Sequence, residues 1–459
     1  MGAVRRPPGP GGLALVRAIA GRGGNALPAF FARTGQAHPR LAHLYVPREH
    51  VYVLSHPDLV RQVFVAHGRH TVKSRGLENA KILVGDGLLT SEGALHQRQR
   101  RLVQPAFSPA RVAAYATEMT RDAAALADTW QDGTTVDVHT EMSRLTLTVA
   151  GRTLFGVDLR DEADRVAAGL SDALAVFRRT LLPGGRLMLS LPLSSSRRAL
   201  AAGTRLDALV RRVIDARSRD AHDRGDVLSA LLAARDGAEG MPLGQVRDEV
   251  MTLLIASHET TAVALSWTWW LLAGHPEAEA ALHDELDTVL GGRPPGPDDA
   301  TRLPVATATV AEAMRLYPPA WVMGRRLTSP LALDGWTVPA GSVCVASQWA
   351  LHRDGRFWPD PLAYLPARWL DGGPGTAAGA VEDGFDEQAP GQPRGSWFPF
   401  GMGARACVGA GFAWTETVLV LATLARSWAP ARVDGHAPRL DPAVTLRPAG
   451  GLPMVLRMR

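Results

Sequence analysis

The segment Phe400-Gly401-Met402-Gly403-Ala404-Arg405-Ala406-Cys407-Val408-Gly409 runs into an apolar helical stretch from about Ala410 to Arg426. A cysteine taken alone is most simply a small buried hydrophobe. The neighbours of Cys407 argue for more. Glycines at 401, 403 and 409 let the backbone turn tightly and approach a flat ligand closely. Cys407 stands just ahead of a helix, whose free N–H groups and dipole favour a thiolate. Arg405, two residues back, offers a cation to an acidic group on such a ligand. The only other cysteine is Cys344, so no disulfide framework is available.

Working outward, helical periodicity fills roughly 94–130, 138–155, 160–179, 197–219, 243–272, 275–290 and 307–317. LAHLYV and VYVLS flank PREH and read as an early hairpin. Short strands return at 331–347, at VTLRP and at LPMVLRMR near the end of the chain. This is a mainly α pattern with small β-sheets, without the β-α alternation of a doubly wound fold. Residues 1–12 are rich in Pro and Gly and are expected to form a flexible N-terminal segment. Residues 371–396 carry Gly, Pro, Ala and acids without periodicity and read as a flexible loop. The remainder, 13–459, reads as one large domain.

Three further constellations stand out. The helix near 246–272 contains Leu253-Leu254-Ile255-Ala256-Ser257-His258-Glu259-Thr260-Thr261 and is apolar nearly all round, which implies a central position. A glutamate there is costly unless paired or functional. It is either a water-satisfied polar kink or, with Thr260, a proton relay into a buried site. Glu312 and Arg315 share a helix face at i,i+3, a spacing that usually means an exposed salt bridge of little worth. Here Leu316-Tyr317-Pro318-Pro319 follows, and Tyr364-Leu365-Pro366-Ala367-Arg368-Trp369 comes later. His96 and Arg100 lie at i,i+4 in ALHQRQRRLVQPAFS, where Arg98 and Arg101 read as a solvated basic face.

The spacing F-x-x-G-x-R-x-C-x-G resembles the haem-binding loop of the cytochrome P-450 family. Ala256 to Thr260 resembles that family's oxygen-activation motif, with Ser257 where the family usually has glycine. Glu312-Ala313-Met314-Arg315 and the segment around Arg368 resemble its E-x-x-R and F-x-P-x-R-W elements, with Tyr364 in place of the phenylalanine. His96 and Arg100 match its H-x-x-x-R. The four motifs occur in the family's order and cover nearly the whole chain.

The resemblance implies the cytochrome P-450 fold, a single large haem-binding domain, and a soluble, bacterial monooxygenase. Cys407 would be the axial thiolate of haem b, pushing electron density to the iron. Phe400, Gly403, Gly409 and Ala256 would flank the ring; His96, Arg100 and Arg405 would reach its propionates, as would one of Arg325 and Arg326. Glu259 and Thr260 would manage protons, and Glu312, Arg315 and Arg368 would form a structural network. The pocket would be lined by Leu88, Leu89, Ala256, Ala320, Trp321, Val322, Met323 and Leu452, with 180–193 as a mobile roof. No charged side chain is expected to point into it, which favours a terpenoid, polyketide or fatty-acid-like substrate hydroxylated with O2.

Composition agrees with this reading. At 46% hydrophobic and 21% charged, the chain is neither disordered nor fibrous. No run approaches the ~18 apolar residues of a membrane span, and the N-terminus is not a convincing signal peptide; a cytoplasmic monomer without a membrane anchor is expected. The net charge of +5 comes from 50 bases interleaved with 45 acids, which disfavours nucleic-acid binding. All but two of the bases are arginine; the lysines are Lys73 and Lys81. The positive face suits an acidic electron-transfer partner. No flavin or dinucleotide fingerprint appears, so electrons from NAD(P)H are expected through a separate ferredoxin and ferredoxin reductase. No C-x-x-C-H signals covalent haem attachment. The alternatives are a peroxide-driven or non-oxygenating haem-thiolate enzyme, which would need no proton relay, and a haem-binding sensor without turnover.

Overall fold

The helix Leu243–Leu272 organises the molecule. From Val250 to Leu272 every residue is buried except Ile255, Ala256, Ser257 and Thr260, as an all-round apolar sequence requires. Gly274 and Pro276 stop it, and Pro276 starts the next helix, Pro276–Leu290, where its missing N–H costs nothing. Helices Val138–Leu154, Pro304–Leu316 and Ala410–Ala425 pack around it. Asp137 caps the first of these, accepting from the His139 and Thr140 N–H groups. On the same helix the Thr146 hydroxyl donates to the His258 carbonyl at 3.0 Å, fixing it against the central helix.

The computed structural model describes residues 5–21, 24–46, 49–169, 194–219, 222–236, 240–370 and 391–459. The 170–193 part of the expected helix and roof, and residues 371–390 of the expected loop, lie outside them. Helices dominate, with small sheets. Of the N-terminal stretch, Pro8 accepts a backbone hydrogen bond from His43. Among the described residues no helix is long and apolar enough to cross a membrane.

The hairpin forms as expected, Leu41–Val46 against Glu49–Leu54 with Leu41 opposite Leu54. It belongs to a five-stranded sheet. Val343–Ala346 runs parallel to Glu49–Leu54, followed by Met323–Leu327 and Thr71–Lys73. The Met323–Leu327 strand was not expected, because its two central arginines hide the apolar alternation. Near the C-terminus, Leu446–Ala449 pairs with Arg439–Pro442, and Pro453–Val455 with Thr135–Asp137 and Ala431–Arg432.

The single helical stretch expected over 94–130 is in fact two helices, Gly93–Val103 and Pro109–Ala127. Pro105 and Pro109 withhold two backbone donors and Ser108 is extended, so a short 3₁₀ turn joins them. Helices Gly12–Ala20, Ala26–Ala37 and Arg75–Val84 also went unanticipated.

Candidate active site

The cysteine loop is held by its own backbone. Gly401 donates to the Phe398 carbonyl at 3.0 Å, Ala406 to Gly403 at 2.8 Å and Cys407 to Phe400 at 2.9 Å. Gly401 and Gly403 have φ of 72° and 71°, the left-handed region that favours glycine. At Gly403 a Cβ would also lie 2.4 Å from the Phe64 carbonyl oxygen. Cys407 thus stands ahead of helix Ala410–Ala425, as the sequence suggests. The helix end does not by itself hold a thiolate: burial pushes the thiol up, and the Gly409 N–H and Arg100 only partly oppose it. Deprotonation would have to accompany metal binding.

Cys407 opens onto a cavity of about 590 Å³. One wall is the central helix, which presents Leu253, Ala256, Ser257, Thr260, Thr261 and Ala264 at i, i+3, i+4 spacing. Phe400, Arg405 and Gly409 line it beside Cys407, and Ala320, Trp321, Val322, Met323 and Leu89 add apolar surface; contrary to the expectation of an uncharged pocket, Glu49, Arg75 and Arg325 line it as well. Two expected lining residues are elsewhere. Leu88 is buried off the cavity, its N–H donated to Glu249 and its carbonyl accepting from Lys73; Leu452 is buried with its N–H on Asp137. Both are anchored through the backbone, so their side chains turn into the core.

Glu259 and Thr260 lie on different faces. The Thr260 hydroxyl opens on the cavity and donates to the Ala256 carbonyl at 2.8 Å. Glu259, one residue round the helix, is buried away from the cavity and accepts from the Thr445 hydroxyl at 3.0 Å. A different acid was missed. Glu416, on helix Ala410–Ala425, is fully buried; burial raises its carboxyl far above the usual range, with Thr261 opposing. Its sequence signal, an acid in an apolar helix, is the one that singled out Glu259.

Cations gather at one edge. Arg100 donates to the Ala406 carbonyl at 2.8 Å, and Arg405 to the Ser91 carbonyl at 3.4 Å. Arg325 lines the cavity while Arg326, on the opposite face of the same strand, pairs with Glu78 at 3.0 Å and Glu49 at 3.7 Å. The strand's alternation therefore decides between the two arginines. Lys73, singled out in the sequence only as a rare lysine, is buried here with its ammonium on the Leu88 and Ser91 carbonyls at 2.9 and 2.6 Å. Burial and then Arg405 lower Lys73 to about 7 and Arg325 to about 10. His96, buried beside Lys73 and the arginines, is driven to about 3 and is neutral. Two carboxylates meet this cluster among the described residues: Glu92, paired with Arg405, and buried Glu249, which accepts the Leu88 N–H and faces Lys73.

These residues fit a haem. Among the described residues no three His, Cys, Asp or Glu side chains gather to hold a bare ion. A single thiol suits a metal that arrives with its own ring of ligands, and the excess of buried cations suits two propionates. Arg325→Met should therefore speed haem loss to apomyoglobin by about 10- to 100-fold. Arg326→Met should change it by less than about threefold, since Arg326 does not line the cavity and its guanidinium is paired with Glu78 and Glu49. Equal effects would refute this placement of the propionates.

Behind the cysteine loop, Glu312 and Arg315 are both fully buried. Arg315 grips both Glu312 oxygens at 2.8 Å and donates to the carbonyls of His352, Pro361 and Ala363 at 2.7–2.8 Å. Arg368, Trp369 and the Leu365 N–H also donate to Glu312, at 2.9, 2.8 and 3.0 Å.

The Cytochrome P450 family model matches residues 7–442. The chain is 40% identical to cyclooctatin synthase of Streptomyces melanosporofaciens, over 97% of this chain and 94% of that protein. It is 35% identical to pentalenene oxygenase of Streptomyces avermitilis, over 87% and 86%. Among solved structures, the cytochrome P450DA heme domain superposes with a TM-score of 0.83 at 26% identity, covering 100% of this chain and 99% of that one.

Proposed function

The chain belongs to the cytochrome P450 family and is a monooxygenase; from that premise we propose that it hydroxylates a cyclic terpenoid, with electrons delivered by a separate ferredoxin and its NAD(P)H-dependent reductase. The observation that carries this reading is the cavity, mainly apolar and opening on one cysteine. The named chemistry of the two Streptomyces relatives supports the same substrate class. Haem b, bound through Cys407, supplies dioxygen activation and insertion of one oxygen atom into a C–H bond. The chain's own part is to place the substrate, exclude water and control protons. Leu89, Trp321, Val322 and Met323 give the substrate a dry, shaped wall. Arg325 and Arg405 hold the propionate edge. Exposed Arg101 offers a cation to an acidic ferredoxin.

The first test is the carbon monoxide difference spectrum of the dithionite-reduced protein, followed by a terpenoid screen for a spin-state shift. A long-wavelength Soret band with terpenoid-induced shifts supports the reading. Absence of haem would overturn it, and shifts confined to linear fatty acids would remove the terpenoid.

We assign proton control to Thr260, whose hydroxyl oxygen faces the cavity and can accept while its own proton rests on the Ala256 carbonyl. Thr260→Ala should still bind haem but release reducing equivalents as hydrogen peroxide, lowering product formed per NAD(P)H by about tenfold or more. Unchanged coupling would remove Thr260 from proton control. Robust peroxide-driven turnover without a ferredoxin would favour the peroxygenase alternative.

A further inference from the structure

The hydroxyls on the cavity wall are not alike. Thr260 donates to the Ala256 carbonyl at 2.8 Å, Thr261 to Ser257 at 3.2 Å and Thr417 to Ala413 at 2.6 Å, each one turn back along its own helix. The Thr260 and Thr417 protons are committed to the backbone, while Thr261, with the longer contact, also meets the buried Glu416. Ser257 differs: its acceptor is the Leu254 carbonyl at 3.4 Å, three residues back and at the limit of a hydrogen bond. Its side chain is half-buried and faces the cavity, where its helix neighbours on the same wall are Leu253, Ala256 and Thr260. A hydroxyl facing an apolar space with its proton barely engaged is stabilised by a partner that enters that space. Ser257 is adjacent to Ala256 and three residues from Thr260, so an oxygen bound to it would lie on the wall where the proton-controlling hydroxyl stands.

We propose that Ser257 is a specificity-determining residue that donates a hydrogen bond to an oxygen already present on the substrate, so that this enzyme oxidises an alcohol, ether or ketone of its hydrophobic substrate class in preference to the bare hydrocarbon. The proposal rests on the terpenoid reading for the identity of the skeleton but not for the role of Ser257. On a wall where its neighbours are Leu253 and Ala256, one such anchor fixes which carbon faces the reacting centre. It also places the reaction in a sequence. An earlier hydroxylation, or a cyclisation ended by capture of water, must install the oxygen that Ser257 reads.

The test uses the haem-loaded enzyme and two matched pairs, cedrene with cedrol and decane with 1-decanol, titrated by the spin-state shift. Wild type is expected to bind the alcohol of a responding pair about five- to tenfold more tightly than the hydrocarbon, and Ser257→Ala to abolish that ratio. Ser257→Thr should keep the preference, and Ser257→Gly should repeat the alanine result. A preference that vanishes in Ser257→Ala with the decane pair alone keeps the role of Ser257 and removes the terpenoid skeleton. A cedrol preference that survives Ser257→Ala and Ser257→Gly overturns the proposal while leaving the terpenoid reading intact. Equal binding within every responding pair also overturns it, and silence of all four compounds overturns both.

Discussion

Arg315→Ala is expected to lower the melting temperature by about 3–5 °C and to leave the purified protein depleted of haem. The side chain is fully buried and its five donors reach one carboxylate and three backbone carbonyls. Removing it strands those acceptors and leaves the Glu312 carboxylate buried with only Arg368 as a charged partner, at 2.9 Å. Breaking a buried pair from one side costs ~3–5 kcal/mol, mostly the desolvation of the group left behind. The three carbonyls lie in segments 352–363, so their release also loosens the chain between Glu312 and the cysteine loop. His352, whose carbonyl Arg315 holds, accepts the Phe398 N–H at 3.0 Å on its ring. That is the path by which the loss reaches Phe400 and Cys407. Arg315→Lys should not rescue, because an ammonium cannot reproduce the planar fork. Glu312→Gln should also destabilise, since one of the two accepting oxygens becomes an NH2 turned toward N–H donors and Arg315 and Arg368 lose their counter-charge. A melting temperature and haem content equal to wild type in Arg315→Ala would show the network to be dispensable.

What the sequence shows, and what it hides, follows from the range of the interactions. The Cys407 loop and the bounds of Leu243–Leu272 are set within one turn or one loop and are visible in spacing alone; the Glu312–Arg315 spacing suggests a pair, but an exposed one, and only the family resemblance implied its burial. Facing is harder. Glu259 and Thr260 are neighbours in sequence, yet one meets Thr445 and the other the cavity, because adjacent helical residues diverge by about 100°. Arg325 and Arg326 are separated by strand alternation, which required knowing that 323–327 is a strand. Lys73 gains its meaning from a loop folded over it, through the carbonyls of Leu88 and Ser91, and no local pattern announces that. Leu88 and Leu452 look like pocket residues because they are apolar; backbone bonds to Glu249 and Asp137 turn them inward. Glu416 was legible in principle, since an acid inside ETVLVLATLA asks for a reason.

Cys407→Ser should fold, yet lose the long-wavelength carbon monoxide band and at least about a thousandfold in product formation, some 4 kcal/mol or more of lost transition-state stabilisation. The fold should survive because the loop is held by backbone bonds among Phe398, Phe400, Gly403, Ala406 and Cys407, none of which uses the sulfur. The chemistry should not, because a serine hydroxyl far less readily becomes the anionic, polarisable ligand that a thiolate supplies. Cys344 is the internal control. It sits fully buried in strand Val343–Ala346, and burial alone pushes its thiol up to about 12, so it remains a protonated core side chain. Cys344→Ser should leave the spectrum unchanged and act only on stability, by burying a hydroxyl where a thiol packed. Persistence of the long-wavelength band in Cys407→Ser would mean that the axial sulfur is not Cys407. Cys344 would then have to leave the sheet to supply the sulfur, and the assignment of the axial ligand to the Cys407 loop would fall.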